Sequence, residues 1–207
     1  MPVTINRKEH WEKVYISKGS HEVSWTQDVP KTSLEFIHAF NLPKSAYIID
    51  IGSGDSTLVD HLLEEGYYNI FLLDISKDAL GKVRNRLGDK AEKVRWLTCD
   101  ILDFKSNLTF DLWHDRATFH FFTKADEIKR YIDTARQLTK GYLTMATFSD
   151  KGPEKCSGLD IKRYSEGLLQ KELSDGFEKI RCITEDHITP FNTAQNFLFC
   201  SFKRTSE

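Results

Sequence analysis

Three carboxylates and two glycines have the types and spacing to hold a small ligand. In IIDIGSGDST (48–57), Gly52 and Gly54 follow a short β-branched apolar run and precede a helical pattern. Glycine lets backbone approach a ligand closely, and amide groups turn outward where a helix begins. Asp50 stands two residues before the first glycine. Asp74, followed by Ile75, closes the next apolar run twenty residues past Gly54, and Asp100, followed by Ile101, closes a third. One such Asp is an ordinary strand-ending turn residue; three at successive strand ends beside a glycine loop are not. In a doubly wound sheet ligands collect beyond the carboxyl ends of the strands, where an acid meets ribose hydroxyls. Asp74 is placed for that role. Asp100 is placed to accept from an adenine amino group, with the Ile101 N–H serving a ring nitrogen.

Two adenosine-bearing ligands compete for this pattern. A nicotinamide site needs G-x-G-x-x-G and turns a helix N-terminus toward pyrophosphate. Here the third glycine is missing, and the acid at Asp50 suits a cationic ligand better than a diphosphate. S-adenosylmethionine carries an amino group, a sulfonium and no phosphate, so charge favours it. An NAD-dependent oxidoreductase is the alternative enzyme reading. A module that holds S-adenosylmethionine without catalysis is the alternative outside the enzymes.

Two further stretches bear on chemistry. Trp11 and Tyr15 lie four apart on one helical face, and Trp25 follows; by composition alone they are core aromatics. In WHDRATFHFF (113–122), after a fourth strand, His114 and Asp115 are catalytic candidates that accept or orient an acceptor proton. Their structural alternatives are a packed histidine and a helix cap. Methyl transfer mainly requires alignment of acceptor, methyl and sulfur and exclusion of water, so a dedicated base is optional. Arg163, Tyr164, His187 and Gln195 are polar or aromatic residues near element ends, where an acceptor would be read.

These residues need strands and helices to position them. Strands are expected at 46–51, 69–75, 94–101, 110–116 and 141–149, and helices at 55–65, 76–87 and 125–139. That alternation predicts a mostly parallel sheet with helices on both faces. Residues 151–160 read as a loop and 164–173 as a helix. Strands 177–187 and 195–204, joined by a short turn, must pair antiparallel. The chain reads as one domain over 1–207, with a helical segment (1–40) ahead of a core at 46–204.

The 207 residues carry 29 Lys plus Arg against 31 Asp plus Glu, a net charge of −2, which argues against a nucleic-acid binder or polybasic membrane anchor that relies on bulk charge. Cys99, Cys156, Cys182 and Cys200 show neither zinc spacing nor a secreted disulfide framework, so no metal site is expected. With no apolar leader or membrane-length run, a cytoplasmic protein in a reducing compartment is the plain expectation. Its partner is then the methyl acceptor, with no nucleic acid or membrane; a monomer is compatible.

The motifs resemble a known family. DIGSGDS is similar to the D/E-x-G-x-G-x-G loop of class I S-adenosylmethionine-dependent methyltransferases, with Ser56 in place of the third glycine. LLDIS and TCDIL resemble that family's ribose-binding and adenine-binding strand ends, and the likeness covers residues 10–202. It implies a Rossmann-like three-layer α/β/α sandwich, a mostly parallel seven-stranded sheet with an antiparallel C-terminal hairpin. HWEKVY and VSWTQDVP further resemble the lead segment of the branch related to elongation factor 1A lysine methyltransferases, whose aromatics close over the cofactor. The resemblance implies that Trp11, Tyr15 and Trp25 form a lid, that Arg116 stands beside the cofactor, and that a protein lysine or a small molecule is the acceptor.

Overall fold

The computed structural model describes residues 6–205. A seven-stranded sheet organises them: β1 (Tyr47–Ile51), β2 (Asn69–Asp74), β3 (Val94–Thr98), β4 (Phe110–Arg116), β5 (Thr139–Phe148), β8 (Phe177–Ile188) and β9 (Ala194–Arg204). Their spatial order is β3-β2-β1-β4-β5-β9-β8. The first five run parallel, and β9 and β8 are antiparallel. The order reverses between β1 and β4, the place where an open parallel sheet leaves a crevice for ligands.

Strand β1 is apolar without alternation because both its faces are covered; Ile48, Ile49 and Ile51 are fully buried. On one face lie α2 (Lys31–His38), α3 (Leu58–Glu64) and α4 (Lys77–Leu87), which contribute Ile37, Leu62 and Val83 to the core around Ile48 and Leu112. The other is covered by α5 (Ala125–Leu138) and α6 (Glu166–Leu173), whose Tyr131 and Leu169 pack with Trp113 and Phe119. The three expected layers are therefore present. Helix α1 (Arg7–Ser17) starts on Asn6, whose side chain accepts from the Lys8 and Glu9 amides. Expected residues 1–5 of the leading segment lie outside the described residues.

Several boundaries move for local reasons. Helix α3 begins at Leu58 rather than 55, because the Thr57 hydroxyl donates to the Gln27 and Asp28 carbonyls and keeps Asp55–Thr57 in the loop. Strand β3 stops at Thr98, since the Asp100 side chain accepts from the Leu102 amide and starts a 3-10 turn. The expected loop at 151–160 carries a small hairpin, β6 (Lys155–Cys156) with β7 (Leu159–Asp160).

The cysteine expectation also needs correction. The register of β8 and β9 sets Cys182 directly across from Cys200, with Cα atoms 4.1 Å apart, and the two form a disulfide. Sequence spacing alone does not reveal a cross-strand pair. Among the described residues, no helix is long and apolar enough to cross a membrane.

Candidate functional site

A cavity runs along the carboxyl ends of β3, β2, β1, β4 and β5 to the start of β9, with about 830 Å3 of empty space including its mouth. At the β3 end it is lined by Asp100 and Ile101, at the β2 end by Asp74 and Ile75, and after β1 by Gly52. Arg116 lines it beyond β4, and Trp11, Tyr15 and Trp25 cover it. An adjoining recess shares Tyr15, Trp25, Gly52 and Arg116 with the cavity and adds Asp50, Gly54 and His114.

Asp74 is fixed by its neighbours. One oxygen accepts from the Gly54 amide at 2.8 Å and the other from the Ser76 amide at 2.8 Å. Burial nonetheless pushes its carboxyl up to about 6, because two amide bonds do not replace the lost hydration. Asp100 has one oxygen on the Leu102 amide, and the Arg7 guanidinium lies 3.9 Å from the other. Arg7 also pairs with Glu127 at 2.6 Å and lies over the Phe122 ring, so it closes the β3 end of the cavity.

The protein's own side chains also require both glycines. Both take positive φ, +60° at Gly52 and +55° at Gly54. A Cβ on Gly52 would meet Thr118 Oγ1 at 1.9 Å, and one on Gly54 would meet the Tyr15 hydroxyl at 2.3 Å. The loop is thus packed under the protein's own side chains, and the Gly54 contact brings Tyr15 over the loop.

Glu12, next to Trp11 in the middle of α1, ties that helix to the start of α4. Glu12 accepts from the Ser76 hydroxyl and the Lys77 and Asp78 amides, at 2.8, 2.9 and 3.2 Å. It therefore caps the N-terminus of α4, where the helix dipole favours an anion. Burial works against its charge, yet these bonds hold the Glu12 carboxyl below its ordinary value. Trp11 then meets Trp25 at 5.8 Å and Phe121 at 5.1 Å between ring centres, both edge to face.

Arg116 is the unusual group. Its Nη1 donates to the Trp25 carbonyl at 2.9 Å. Nε and Nη2 are shielded and have no partner among the described residues. Burial lowers its pKa to about 10, so it stays cationic at neutral pH.

His114 and Asp115 do not meet the roles expected of them. His114 is buried with both ring nitrogens engaged, Nδ1 with Asp50 at 2.6 Å and Nε2 with the Ser33 hydroxyl at 3.0 Å. It ties β4 to β1 and α2 and borders only the recess. Asp50, one of whose oxygens is taken by His114, likewise borders the recess rather than the main cavity. Asp115 alternates to the opposite face, as strand geometry requires. There it accepts from the Tyr131 hydroxyl and from the Thr118 and Phe119 amides, and burial pushes it up to about 6. It is a turn cap, out of reach of the cavity.

Of the four rim residues, Gln195 alone lines the cavity. Tyr164 is buried against Phe119, Arg163 bonds the Gly152 carbonyl and Glu154, and His187 engages the Ser24 carbonyl. Arg7, Phe148, Cys156 and Phe197 reach the cavity without having been singled out by sequence. None belongs to a spaced motif, and the β6 hairpin that brings in Cys156 reads as loop.

A crevice at the switch point, lined by acids on successive strand ends, marks an α/β protein with a place for a small ligand. Residues 49–141 match the methyltransferase domain family. Over that stretch the chain is similar to S-adenosylmethionine-dependent methyltransferases, with distant similarity to the eEF1A lysine methyltransferases. It is 26% identical over 111 residues to the eEF1A lysine and N-terminal methyltransferase of Mus musculus, covering 53% of this chain and 16% of that protein. To EEF1A lysine methyltransferase 2 of Danio rerio it is 24% identical over 155 residues, 69% of this chain and 63% of that one. The chain thus spans less than two thirds of either relative. The N-methyltransferase NodS of Bradyrhizobium japonicum, solved in complex with S-adenosyl-L-homocysteine, superposes with TM-score 0.74 at 14% identity. That match covers 95% of this chain and all of NodS.

Proposed function

We propose that this chain binds S-adenosylmethionine in the cavity and recess and transfers its methyl group to an acceptor, within one domain over residues 1–207. The observation that carries the reading is Asp74, a carboxylate held in place by two backbone amides at the cavity wall beside the glycine loop. In this reading Asp74 accepts from the ribose hydroxyls, and Asp100 with the Ile101 amide meets the adenine. Gly52, Gly54 and Asp50 receive the amino-acid portion in the recess, where Asp50 suits an ammonium group. Ile75 packs on the adenosine. Trp11, Tyr15 and Trp25 close the site from solvent and place aromatic faces near a cationic sulfonium. Arg116 stands beside the reacting end.

The donor supplies a methyl carbon already activated by its positive sulfur. The protein's work is to align the acceptor and exclude water. His114 and Asp115, tied up elsewhere, are not assigned a proton-transfer role. Likeness to eEF1A lysine methyltransferases supports a protein acceptor; the shape and charge of the cavity support a small one, as argued below. The test is a tritiated methyl-donor screen of a cell extract resolved into protein and small-molecule fractions. Label that depends on the protein and is lost in Asp74→Ala supports the reading. No transferable label in either fraction contradicts it.

A further inference from the structure

The cavity is longer than the proposed donor site. Neighbouring strands lie about 4.8 Å apart. The segment from β3 to β1, which holds Asp100, Asp74 and Gly52, therefore spans about 10 Å, and the remainder from β1 through β4 and β5 to β9 about 14 Å. That remainder is a chamber of different chemistry. Its walls are Phe121, Phe148 and Phe197, with the Cys156 side chain from the β6 hairpin. Unpartnered donors face it from Arg116, at Nε and Nη2, and beside them lies the uncharged Gln195, whose amide presents its NH2 rather than its shielded Oε1 to an anion.

Charge decides what such a chamber accepts. Asp74 and Asp100 are the acidic residues lining the cavity among the described residues, and both sit at the β2 and β3 ends. No carboxylate lines the chamber beside Arg116; the carboxylates that act on it, Glu185 and Asp50, lie outside its walls. A lysine arriving as ammonium would be placed beside Arg116, and no neighbouring carboxylate or histidine lines the chamber to take its proton. Nε–H and Nη2–H share one edge of a guanidinium, the edge that pairs best with an anion. Cys156 is no competitor, since burial pushes its thiol up to about 12 and keeps it neutral.

We propose that the chamber between Arg116, Gln195 and the three phenylalanines is the acceptor site, and that it takes a small, flat molecule that is already an anion at neutral pH, a thiolate or a carboxylate. This rests on the methyl-donor reading above. The anion's lone pair forms a bond to the donor's methyl carbon while the bond from that carbon to sulfur breaks. The electron pair returns to sulfur, leaving S-adenosylhomocysteine as a neutral thioether, and the acceptor loses its charge by gaining the methyl. No proton moves, so no base is needed. A cation and an anion become two neutral products, a displacement that a dry aromatic enclosure favours over water.

The test uses three ring-sized probes with the full chain: 4-nitrothiophenol, benzoate and benzylamine. With S-adenosylmethionine, at least one of the two anions should be methylated with kcat/KM at least a hundredfold above benzylamine. Binding of 4-nitrothiophenolate in the presence of S-adenosylhomocysteine, followed by its visible absorbance, gives a readout independent of turnover. Gln195→Glu, which adds a carboxylate without changing size, should weaken that binding at least tenfold and leave S-adenosylhomocysteine affinity within threefold. Arg116→Gln should weaken the probe at least tenfold; if it instead weakens S-adenosylhomocysteine tenfold and spares the probe, Arg116 serves the donor and the proposal is wrong. The proposal also fails if the donor binds but neither anion is methylated, or if benzylamine or a lysine of eEF1A is methylated as well or better. Failure of the donor to bind at all would instead overturn the methyltransferase reading and this proposal with it.

Discussion

The Asp74 carboxyl makes cofactor affinity depend on pH in a way that can be worked out. Its pKa is raised to about 6 from 3.8, by burial first and then by the charges of Asp50 and Glu12, against the two amide bonds that favour ionisation. A raised carboxyl contributes stability to the ligand-free fold below about pH 4 and loses that contribution as pH rises through 6, by about 3 kcal/mol at 1.36 kcal/mol per unit. Ligand binding runs the other way. If ribose hydroxyls donate to the ionised carboxylate, affinity scales with the ionised fraction. That fraction is about 0.9 at pH 7 and about 0.09 at pH 5, so the dissociation constant should rise about tenfold between them. Calorimetric titration with S-adenosylhomocysteine at pH 5, 6 and 7 measures this directly. Asp74→Asn should bind more weakly at pH 7, by the 1–3 kcal/mol of a charged hydrogen bond, or about 5- to 150-fold. It should also flatten the pH dependence. A wild-type affinity independent of pH, or an unchanged slope in Asp74→Asn, would refute the reasoning.

Three other outcomes follow from the geometry. Trp25→Ala should weaken S-adenosylhomocysteine about 3- to 30-fold with an unchanged circular dichroism spectrum, because the Arg116 bond is to the Trp25 backbone carbonyl and survives; loss of folding would make Trp25 a core residue instead. Asp115→Ala should lower stability by about 2–4 kcal/mol in urea denaturation, since it leaves the buried Tyr131 hydroxyl and two turn amides without their acceptor; a folded variant of unchanged stability but lost methyl transfer would restore Asp115 as catalytic. Reducing the Cys182–Cys200 disulfide should lower stability by about 3 kcal/mol, the loop-closure value for a ring of this size, visible as a lower melting temperature with a phosphine reductant.

Much of the fold was legible because the parallel strands are buried on both faces. Runs such as AYIIDI and NIFLLDI leave no other reading, and the glycine loop and strand-ending acids mark where each strand stops. Direction within the site was harder to read. Asp115 and Arg116 are adjacent in sequence, yet strand alternation sends one into the α5 face and the other to the cavity, and no sequence signal says which. His114 carries the chemistry of a base but is spent on Asp50 and Ser33, and its use depends on α2 packing from far earlier in the chain. Gly52 and Gly54, legible as clearance for a ligand, also give clearance to Thr118 and Tyr15, which no sequence signal shows. The disulfide was hidden because pairing across β8 and β9 depends on register, which an irregularity between Lys179 and Arg181 shifts. Arg7 and Cys156 come from segments without a motif and reach the cavity only through tertiary packing.

The central claim is the donor, and one titration tests it most directly. S-adenosylhomocysteine added to the purified chain at pH 7 should give a saturable, one-to-one calorimetric isotherm that weakens in Asp74→Ala, and NAD should give none. Heat of binding with NAD and none with either S-adenosylhomocysteine or S-adenosylmethionine would contradict the account.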